Sequence, residues 1–240
     1  MGLSAKGVCA GISADKIGAR AVGKKIARKK ENYSRKKIFE HTVANFLCTL
    51  KFKSILLYLP LFIEADTKKI IRILRTNRKA VYVPFIEGVS FKMVRYRLPE
   101  ITGDFNIQTC RNSFVKINKI DIMIIPALGV DRNFKRIGHG KGMYDRFVEK
   151  IKNTPLTIFA QKKICYFDAD ICEKHDVSAD FLTAEGKIFQ RGKINNVNYC
   201  ANRSRRNGNI RYCRIFDGKK NRFRKISNIY RAVKIKSKGD

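Results

Sequence analysis

Along residues 15–190, continuous apolar runs alternate with segments in which apolar residues recur at helical spacing. Residues 54–59 and 121–126 are largely apolar runs that stop at prolines, which is typical of strands buried on both faces of a parallel sheet. Between residues 15 and 50, apolar side chains recur roughly every three to four positions. This spacing predicts two helices, the first capped by Asp15 and the second beginning near Ser34.

Shorter segments extend this pattern, with strand-like runs separated by helical ones. We therefore predict one three-layer α/β domain over residues 15–191, with a largely parallel sheet flanked by helices and the ligand site at the carboxyl ends of its strands. Residues 1–14 show no period and are expected to form a leader. The additional predicted segments are strands over 80–84, 91–96 and 156–160, and helices over 68–74 and 146–151.

The chain has 240 residues and a net charge of +32, which is unevenly placed. Residues 191–240 hold 16 of the 52 Lys and Arg residues, and their only acidic residues are Asp217 and Asp240. A basic body suits phosphorylated or polycarboxylate ligands, and it equally suits nucleic acid or an anionic membrane surface. Charge alone therefore does not choose the partner.

The seven cysteines are scattered and include no C-x-x-C pair, so they indicate neither a zinc site nor a redox dithiol. We interpret them as reduced thiols of a cytoplasmic protein. The N-terminus lacks the apolar segment of a secretory signal, and Pro60 and Pro126 interrupt the two apolar runs well short of a membrane-spanning length. The sequence therefore predicts no membrane partner.

A glycine-rich stretch, residues 136–145, joins a predicted strand to a predicted helix. This order brings backbone N–H groups close to a phosphate, and glycines at alternate positions let the backbone approach a ligand without Cβ atoms in the way. Arg136 and Lys141 add positive charge, and Asp145 adds the hard oxygen that magnesium prefers. The spacing is neither that of a Walker loop nor that of a dinucleotide fingerprint. The stretch predicts a phosphate site without naming a reaction.

This stretch resembles the signature of the 5-formyltetrahydrofolate cyclo-ligases, also called methenyltetrahydrofolate synthetases. The resemblance extends over about residues 16–189, and Met143 departs from it because the family usually has an aromatic residue there. The shared positions in the signature are Pro126, Asp131, Arg136, Gly138, Gly140, Lys141, Gly142, Tyr144 and Asp145.

Two segments before the glycine-rich stretch strengthen the resemblance. Lys16 and Arg20 lie one helical turn apart and are similar to the K-x-x-x-R that contacts ATP in the family. Residues 64–67 are similar to the family's segment after its first strand, where the glutamate and a leucine five residues earlier touch the folate. Helix capping would explain Asp66 and Thr67 but not Glu64.

Two later segments match less evenly. Residues 175–185 resemble the family's last shared segment, whose second aspartate, here Asp180, helps to hold magnesium. Residues 104–108 lack the glycine, glutamate and proline that the family usually has, so we assign this loop no catalytic role.

The resemblance implies an ATP- and Mg²⁺-dependent ligase. Its substrate would be 5-formyltetrahydrofolate, with or without a polyglutamate tail, and its products 5,10-methenyltetrahydrofolate, ADP and phosphate, formed through a phosphorylated formyl intermediate by a monomeric enzyme. Arg136 and Lys141 would be catalytic, and Asp145 and Asp180 would hold the metal. The implied ATP-binding residues are Lys16, Arg20, Arg136, Ile137, Gly138, His139, Gly140, Lys141, Gly142, Met143 and Tyr144. The implied substrate-binding residues are Leu59, Glu64, His139, Gly140, Lys141, Gly142 and Met143.

Residues 192–240 show no sustained apolar period and are dominated by Asn, Arg and Lys. We expect a basic tail without a packed core, because its few apolar residues do not offset the entropy of ordering. Aromatic residues between its cations leave nucleic acid as an alternative partner. The alternative to the enzyme is therefore a nucleic-acid-binding protein on the same fold without the ligase chemistry, although intact Arg136, Lys141 and Asp145 favour the enzyme.

Overall fold

The computed structural model describes residues 15–104, 107–112, 117 and 119–191, together with the backbone of residues 193–197. The predicted leader, residues 1–14, lies outside the described residues, as does the tail beyond residue 197. Within the described part of the chain, no helix combines the length and the apolar character needed to cross a membrane.

The helices begin at or near their predicted starts. α1 (Lys16–Arg28) follows its predicted cap, because Oδ1 of Asp15 accepts a hydrogen bond from the Gly18 N–H at 3.0 Å. α2 (Tyr33–Thr49) is capped by Asn32 in the same way. The other two are α3 (Lys68–Thr76) and α4 (Met143–Lys150), and α4 begins earlier than predicted.

Among the described residues, the main sheet has eight strands and is parallel at its centre. Its strands are β1 (Ser54–Leu56), β2 (Ala80–Glu87), β3 (Ser90–Arg95), β6 (Ile122–Pro126), β9 (Leu156–Gln161), β10 (Phe181–Ala184), β11 (Lys187–Gln190) and β12 (Lys193–Val197). Their order is β12-β11-β10-β9-β6-β1-β2-β3, with parallel pairing from β10 through β9, β6 and β1 to β2 and antiparallel hairpins at both edges. Two small ribbons pair β4 (Ile101–Thr102) with β5 (Gln108–Thr109) and β7 (Gly129–Val130) with β8 (Arg136–Ile137). The predicted α/β class is confirmed.

Apolar side chains on the two faces of the sheet pack against different helices. On β6, Ile122 and Ile124 join a core with α2 and α3, whereas Met123 and Ile125 join a second core with Phe147 of α4. Because successive strand residues point to opposite faces, one fully buried strand serves both cores. α1 packs separately against β8, with Ala19 and Ile137 in a third cluster. This packing gives the predicted three layers.

The β10–β11 hairpin is an element that the sequence pattern did not predict. Its strands are only four residues each, and Glu185 and Gly186 between them have φ angles of 49° and 78°. Positive φ at both turn residues is the geometry of the tight hairpin turns that favour glycine. Beyond this hairpin, β12 pairs with β11. The sheet therefore continues past the domain boundary predicted at residue 191.

Candidate active site

The glycine-rich loop joins β8 to α4, and each of its glycines has a structural reason. Gly140 and Gly142 have φ angles of 105° and 59°, which side chains with a Cβ rarely adopt. A Cβ on Gly138 would lie 2.4 Å from Nη1 of Arg136. The glycines thus set the shape of the loop and leave room for the Arg136 guanidinium.

Arg136 is a buried cation held by a buried carboxylate. Its Nη2 donates a hydrogen bond to Oδ2 of Asp145 at 3.0 Å, and Oδ1 of Asp145 accepts one from the Val177 N–H at 3.1 Å. The guanidinium carbon lies 5.2 Å from the ring centroid of Tyr144, within the range of a cation–π contact. The Arg136 side chain is only 7% exposed, so removing either charge would leave the other buried and unpaired.

Arg136 lines a mostly apolar cavity of about 260 Å³. We call it the apolar cavity. Strand ends, the β4–β5 region and the glycine-rich loop all contribute to it. Its lining residues are Tyr58, Leu59, Leu61, Glu64, Pro84, Ile86, Phe91, Ile107, Gln108, Pro126, Arg136, His139, Lys141, Gly142, Met143 and Tyr144.

Glu64 is the carboxylate in the lining of the apolar cavity. Its Oε2 accepts a hydrogen bond from the Leu61 N–H at 2.9 Å. Burial raises the pKa of Glu64 to about 7, against the lowering effects of that hydrogen bond and of the nearby Arg136. Burial also raises the pKa of the Tyr58 and Tyr144 hydroxyls, so both stay protonated at neutral pH.

Arg136 also lines a second cavity, of about 380 Å³. We call it the charged cavity, because most of its lining residues are ionisable. They are Lys16, Arg20, Arg136, Gly138, Gly140, Gly142, Asp145, Arg146, Glu149, Glu173, His175 and Asp176. Arg136 and Gly142 line both cavities.

The cations of the charged cavity have unused hydrogen-bonding capacity. Nε of Arg20 and Nε of Arg136 are buried and have no hydrogen-bond partner among the described residues. A buried donor without a partner is costly, and an anionic oxygen would satisfy it. Arg20 also lies beside the loop, since a Cβ on Gly140 would be 3.6 Å from its guanidinium. The charged cavity is therefore shaped for an anion.

Lys16 is anchored at the same cavity by Asp176. Oδ2 of Asp176 accepts hydrogen bonds from Nζ of Lys16 and, at 2.7 Å, from the Glu173 N–H. Burial opposes the charge of both side chains, yet their hydrogen bond raises the pKa of Lys16 and lowers the pKa of Asp176. Both groups are therefore charged at neutral pH.

Most residues selected from the sequence line one or both cavities. Leu59, Glu64, His139, Lys141 and Met143 meet at the apolar cavity, and Lys16 and Arg20 meet Gly138, Gly140 and Asp145 at the charged cavity. Desolvation, with the charges of Lys24 and Arg136, lowers the pKa of His139. Ile137, in contrast, is fully buried between α1 and the loop and lines neither cavity.

The two carboxylates predicted to share magnesium do not line the same cavity. Asp180 precedes β10, where its Oδ2 accepts a hydrogen bond from the Thr157 N–H at 2.9 Å, near the amino end of β9. Its Oδ1 lies 3.6 Å from Arg191. The carboxylates that line the charged cavity with Asp145 are Glu149, Glu173 and Asp176.

Two contributions to the site were not assigned from the sequence. The loop 104–108 was assigned no catalytic role, and its residues Ile107 and Gln108 line the apolar cavity; Phe105 and Asn106 lie outside the described residues. Asp131 is fully buried, and its Oδ1 accepts hydrogen bonds from the N–H groups of Asn133 and Lys135. It therefore shapes the chain that leads into Arg136.

Fold and site together define an α/β enzyme with its ligand cavities around a glycine-rich loop. The model of the 5-formyltetrahydrofolate cyclo-ligase family matches residues 19–183, and the chain belongs to this family. The chain is 26% identical to the 5-formyltetrahydrofolate cyclo-ligase of Mycoplasma genitalium over 124 residues, which is 51% of this chain and 67% of that protein. It is 26% identical to the enzyme of the same name from Haemophilus influenzae, over 51% of this chain and 70% of that protein.

Shorter matches and solved structures agree with this family. The chain is 36% identical to the 5-formyltetrahydrofolate cyclo-ligase of Mycolicibacterium smegmatis, over only 26% of this chain and 32% of that protein. The solution structure of 5,10-methenyltetrahydrofolate synthetase from Aquifex aeolicus superposes with a TM-score of 0.62 at 22% identity, covering 73% of this chain and 92% of that one. A synthetase from Mycoplasma pneumoniae superposes with a TM-score of 0.55 at 19% identity, covering 70% and 97%. These superpositions establish a shared fold.

Proposed function

We propose that this protein uses ATP and Mg²⁺ to convert 5-formyltetrahydrofolate into 5,10-methenyltetrahydrofolate, with release of ADP and phosphate. The observation that supports it best is the position of Arg136, which lines both the apolar and the charged cavity. A reaction that moves a phosphoryl group from a nucleotide onto an organic substrate needs a cation where the two ligands meet.

The apolar cavity suits the folate. Its walls include Leu59, Phe91, Met143 and Tyr144, which offer apolar and aromatic surface to a planar heterocycle. Among the described lining residues, Glu64 adds the one carboxylate, for a polar edge of the ring system. Met143 fills the place where the family usually has an aromatic residue, and its flexible thioether contributes comparable volume.

The charged cavity suits the phosphates of ATP. The buried Nε atoms of Arg20 and Arg136 have no partner among the described residues, and Lys16 and Arg146 add positive charge to the lining. The loop backbone between Gly138 and Gly142 approaches this cavity without Cβ atoms. Such a site stabilises phosphoryl charge by position and electrostatics rather than by a protein nucleophile.

The lining of the charged cavity fits magnesium in its donor chemistry. Magnesium prefers hard oxygens and usually takes one or two carboxylates together with phosphate oxygens and water. Oδ1 of Asp176 makes no hydrogen bond among the described residues, and Glu173 lies beside it. Both oxygens of Asp145 are already engaged, by Arg136 and by Val177. We therefore infer that Asp176 and Glu173 hold the metal, which would neutralise phosphate charge, and that Asp145 orients Arg136.

The residues support a two-stage reaction. The formyl oxygen attacks the γ-phosphorus of ATP, the bond to ADP breaks, and an iminophosphate forms. The second folate nitrogen then attacks the activated carbon, and phosphate leaves. Arg136 and Lys141 would stabilise charge on the transferred group, and the walls of the apolar cavity would hold the second nitrogen close to the carbon.

An absorbance assay tests this function directly. The full chain is given 5-formyltetrahydrofolate, and the near-ultraviolet absorbance of methenyltetrahydrofolate is followed with and without ATP and Mg²⁺. We expect the rise in absorbance to require both, with one ADP released per product. A protein that binds nucleic acid but gives no absorbance change under any of these conditions would instead support the alternative, a nucleic-acid-binding protein on the same fold.

A further inference from the structure

We propose that Glu64 is the base that removes the proton from the attacking folate nitrogen during ring closure. This inference rests on the proposed function and assigns a chemical role to a carboxylate whose expected role was contact with the substrate. It concerns the second stage of the reaction, after phosphoryl transfer.

Ring closure releases a proton that needs an acceptor. The second folate nitrogen is a secondary amine; as its lone pair forms the new bond to carbon, its N–H proton must leave, and the bond between carbon and the phosphate oxygen breaks. The step therefore yields the methenyl product, one phosphate and one proton. In a cavity with mostly apolar walls, a positioned side chain serves better than bulk water.

The geometry of Glu64 suits this task. Its Oε2 is fixed by the Leu61 N–H at 2.9 Å, and its Oε1 makes no hydrogen bond within the described part of the chain. The carboxylate is thus oriented through one oxygen, while the other is available to a ligand in the apolar cavity. A base must combine both properties, because proton transfer needs a fixed position and an open lone pair.

Other ionisable groups lining the apolar cavity are less suited. Tyr58 and Tyr144 are buried phenols with raised pKa values, and Tyr58 already donates its hydroxyl to the Ala65 carbonyl at 2.8 Å. Arg136 and Lys141 are cations with no lone pair to offer. His139 is the competing base, since it lines the same cavity and desolvation lowers its pKa so that the ring is neutral. Glu64 is preferred because the Leu61 N–H fixes one of its oxygens.

The pKa of Glu64 suits a base that acts near neutral pH. Burial brings its pKa to about 7, where a carboxylate is basic enough to accept a proton and is still substantially ionised. Because the ionised form is the active one, kcat should rise with pH through about 7 and level off above it.

The test compares Glu64→Gln, Glu64→Asp and His139→Gln with the parent enzyme. We expect Glu64→Gln to lower kcat by roughly 100-fold or more, to leave KM for ATP nearly unchanged and to lose the rise of kcat near pH 7. Glu64→Asp should recover part of kcat and keep a pH-dependent rise. In a single turnover, Glu64→Gln should still release ADP at near the parent rate while methenyl formation lags behind it.

The outcomes separate this inference from the proposed function. A parent enzyme without ATP-dependent absorbance change refutes the proposed function itself. If the parent is active and Glu64→Gln keeps its kcat and pH profile, or if His139→Gln removes the rise near pH 7, Glu64 is not the base. A loss in which ADP release and methenyl formation slow together also overturns the inference. Far-ultraviolet circular dichroism establishes that each variant is folded.

Discussion

Arg136 donates a hydrogen bond to Asp145 across 3.0 Å in a place almost closed to water, and the same guanidinium lines two cavities. A buried pair of this kind adds little net stability, because desolvation offsets most of its attraction. It does fix the position of a cation. The pair is therefore best understood as a means of holding Arg136 at the junction of the cavities, and the neighbouring Gly138 leaves the space that this requires.

Replacing Gly138 by alanine should reduce activity without unfolding the protein. The new Cβ would lie 2.4 Å from Nη1 of Arg136, so the guanidinium must move, and a displacement of about 1 Å costs on the order of 100-fold in rate. The backbone itself is not strained, because Gly138 is not among the glycines with positive φ. Steady-state kinetics and a thermal melt of the same preparation measure the two effects.

Gly88→Ala is the matched control, and the opposite pattern is expected. Gly88 has φ of +61° with nothing within 4 Å of an added Cβ, so the cost is backbone strain of about 1 kcal/mol and not a clash with the site. The melt should shift while kcat stays near that of the parent. Equal loss of activity in both alanine variants would show that the space beside Arg136 has no special role.

Lys141→Ala should lower kcat by about 100- to 1,000-fold, because a cation aimed at transferred charge acts most strongly in the transition state. Folding should be retained, since Lys141 lies at the exposed surface of the loop. Lys25→Ala removes an equally exposed charge from α1 and serves as the control. A Lys141→Ala variant with turnover within about threefold of the parent, under ~0.7 kcal/mol of barrier, would exclude a catalytic role.

Magnesium titrations distinguish two assignments of the metal. Asp176→Asn should raise the Mg²⁺ concentration for half-maximal activity by about tenfold or more, because an amide loses the charge that hard cations favour. Asp180→Asn should leave this value unchanged, since Asp180 lines neither cavity. The reverse result would restore the pairing of Asp145 with Asp180 that the sequence suggested.

Local sequence predicted the central strands and the caps well, because these depend on neighbouring residues. β6 is a contiguous apolar run, and Asp15 caps α1 through a hydrogen bond to a residue three positions away. The β10–β11 hairpin was missed because four-residue strands carry little periodicity. Its usable signal was Glu185 followed by Gly186 between two apolar runs.

Motif spacing did not indicate that Asp176 lines the charged cavity while Asp180 lines neither cavity, because the positions of both depend on contacts with distant parts of the chain. Both aspartates belong to one short segment, but Asp176 meets Lys16 across 160 positions of sequence, whereas Asp180 accepts a hydrogen bond from Thr157 near the amino end of β9. The family resemblance of residues 64–67 implied that Glu64 and Leu59 contact the substrate, and both line the apolar cavity with the loop.

Two truncations test how far the domain extends. Deleting residues 198–240 should leave the thermal midpoint and turnover nearly unchanged, because every residue assigned to the site precedes this segment.

Deleting residues 192–240 also removes β12, which pairs with β11 at Ile188 and Gln190. Loss of these ladder contacts should cost about 2 kcal/mol, or roughly 4–8 °C in the midpoint. Both truncations should bind heparin less tightly and with a weaker salt dependence, since deleting residues 198–240 removes 14, and deleting residues 192–240 removes 15, of the 52 Lys and Arg. Equal midpoints for the two truncations would place the end of the domain at residue 191, and loss of ATP binding in the shorter deletion would make the tail part of the site.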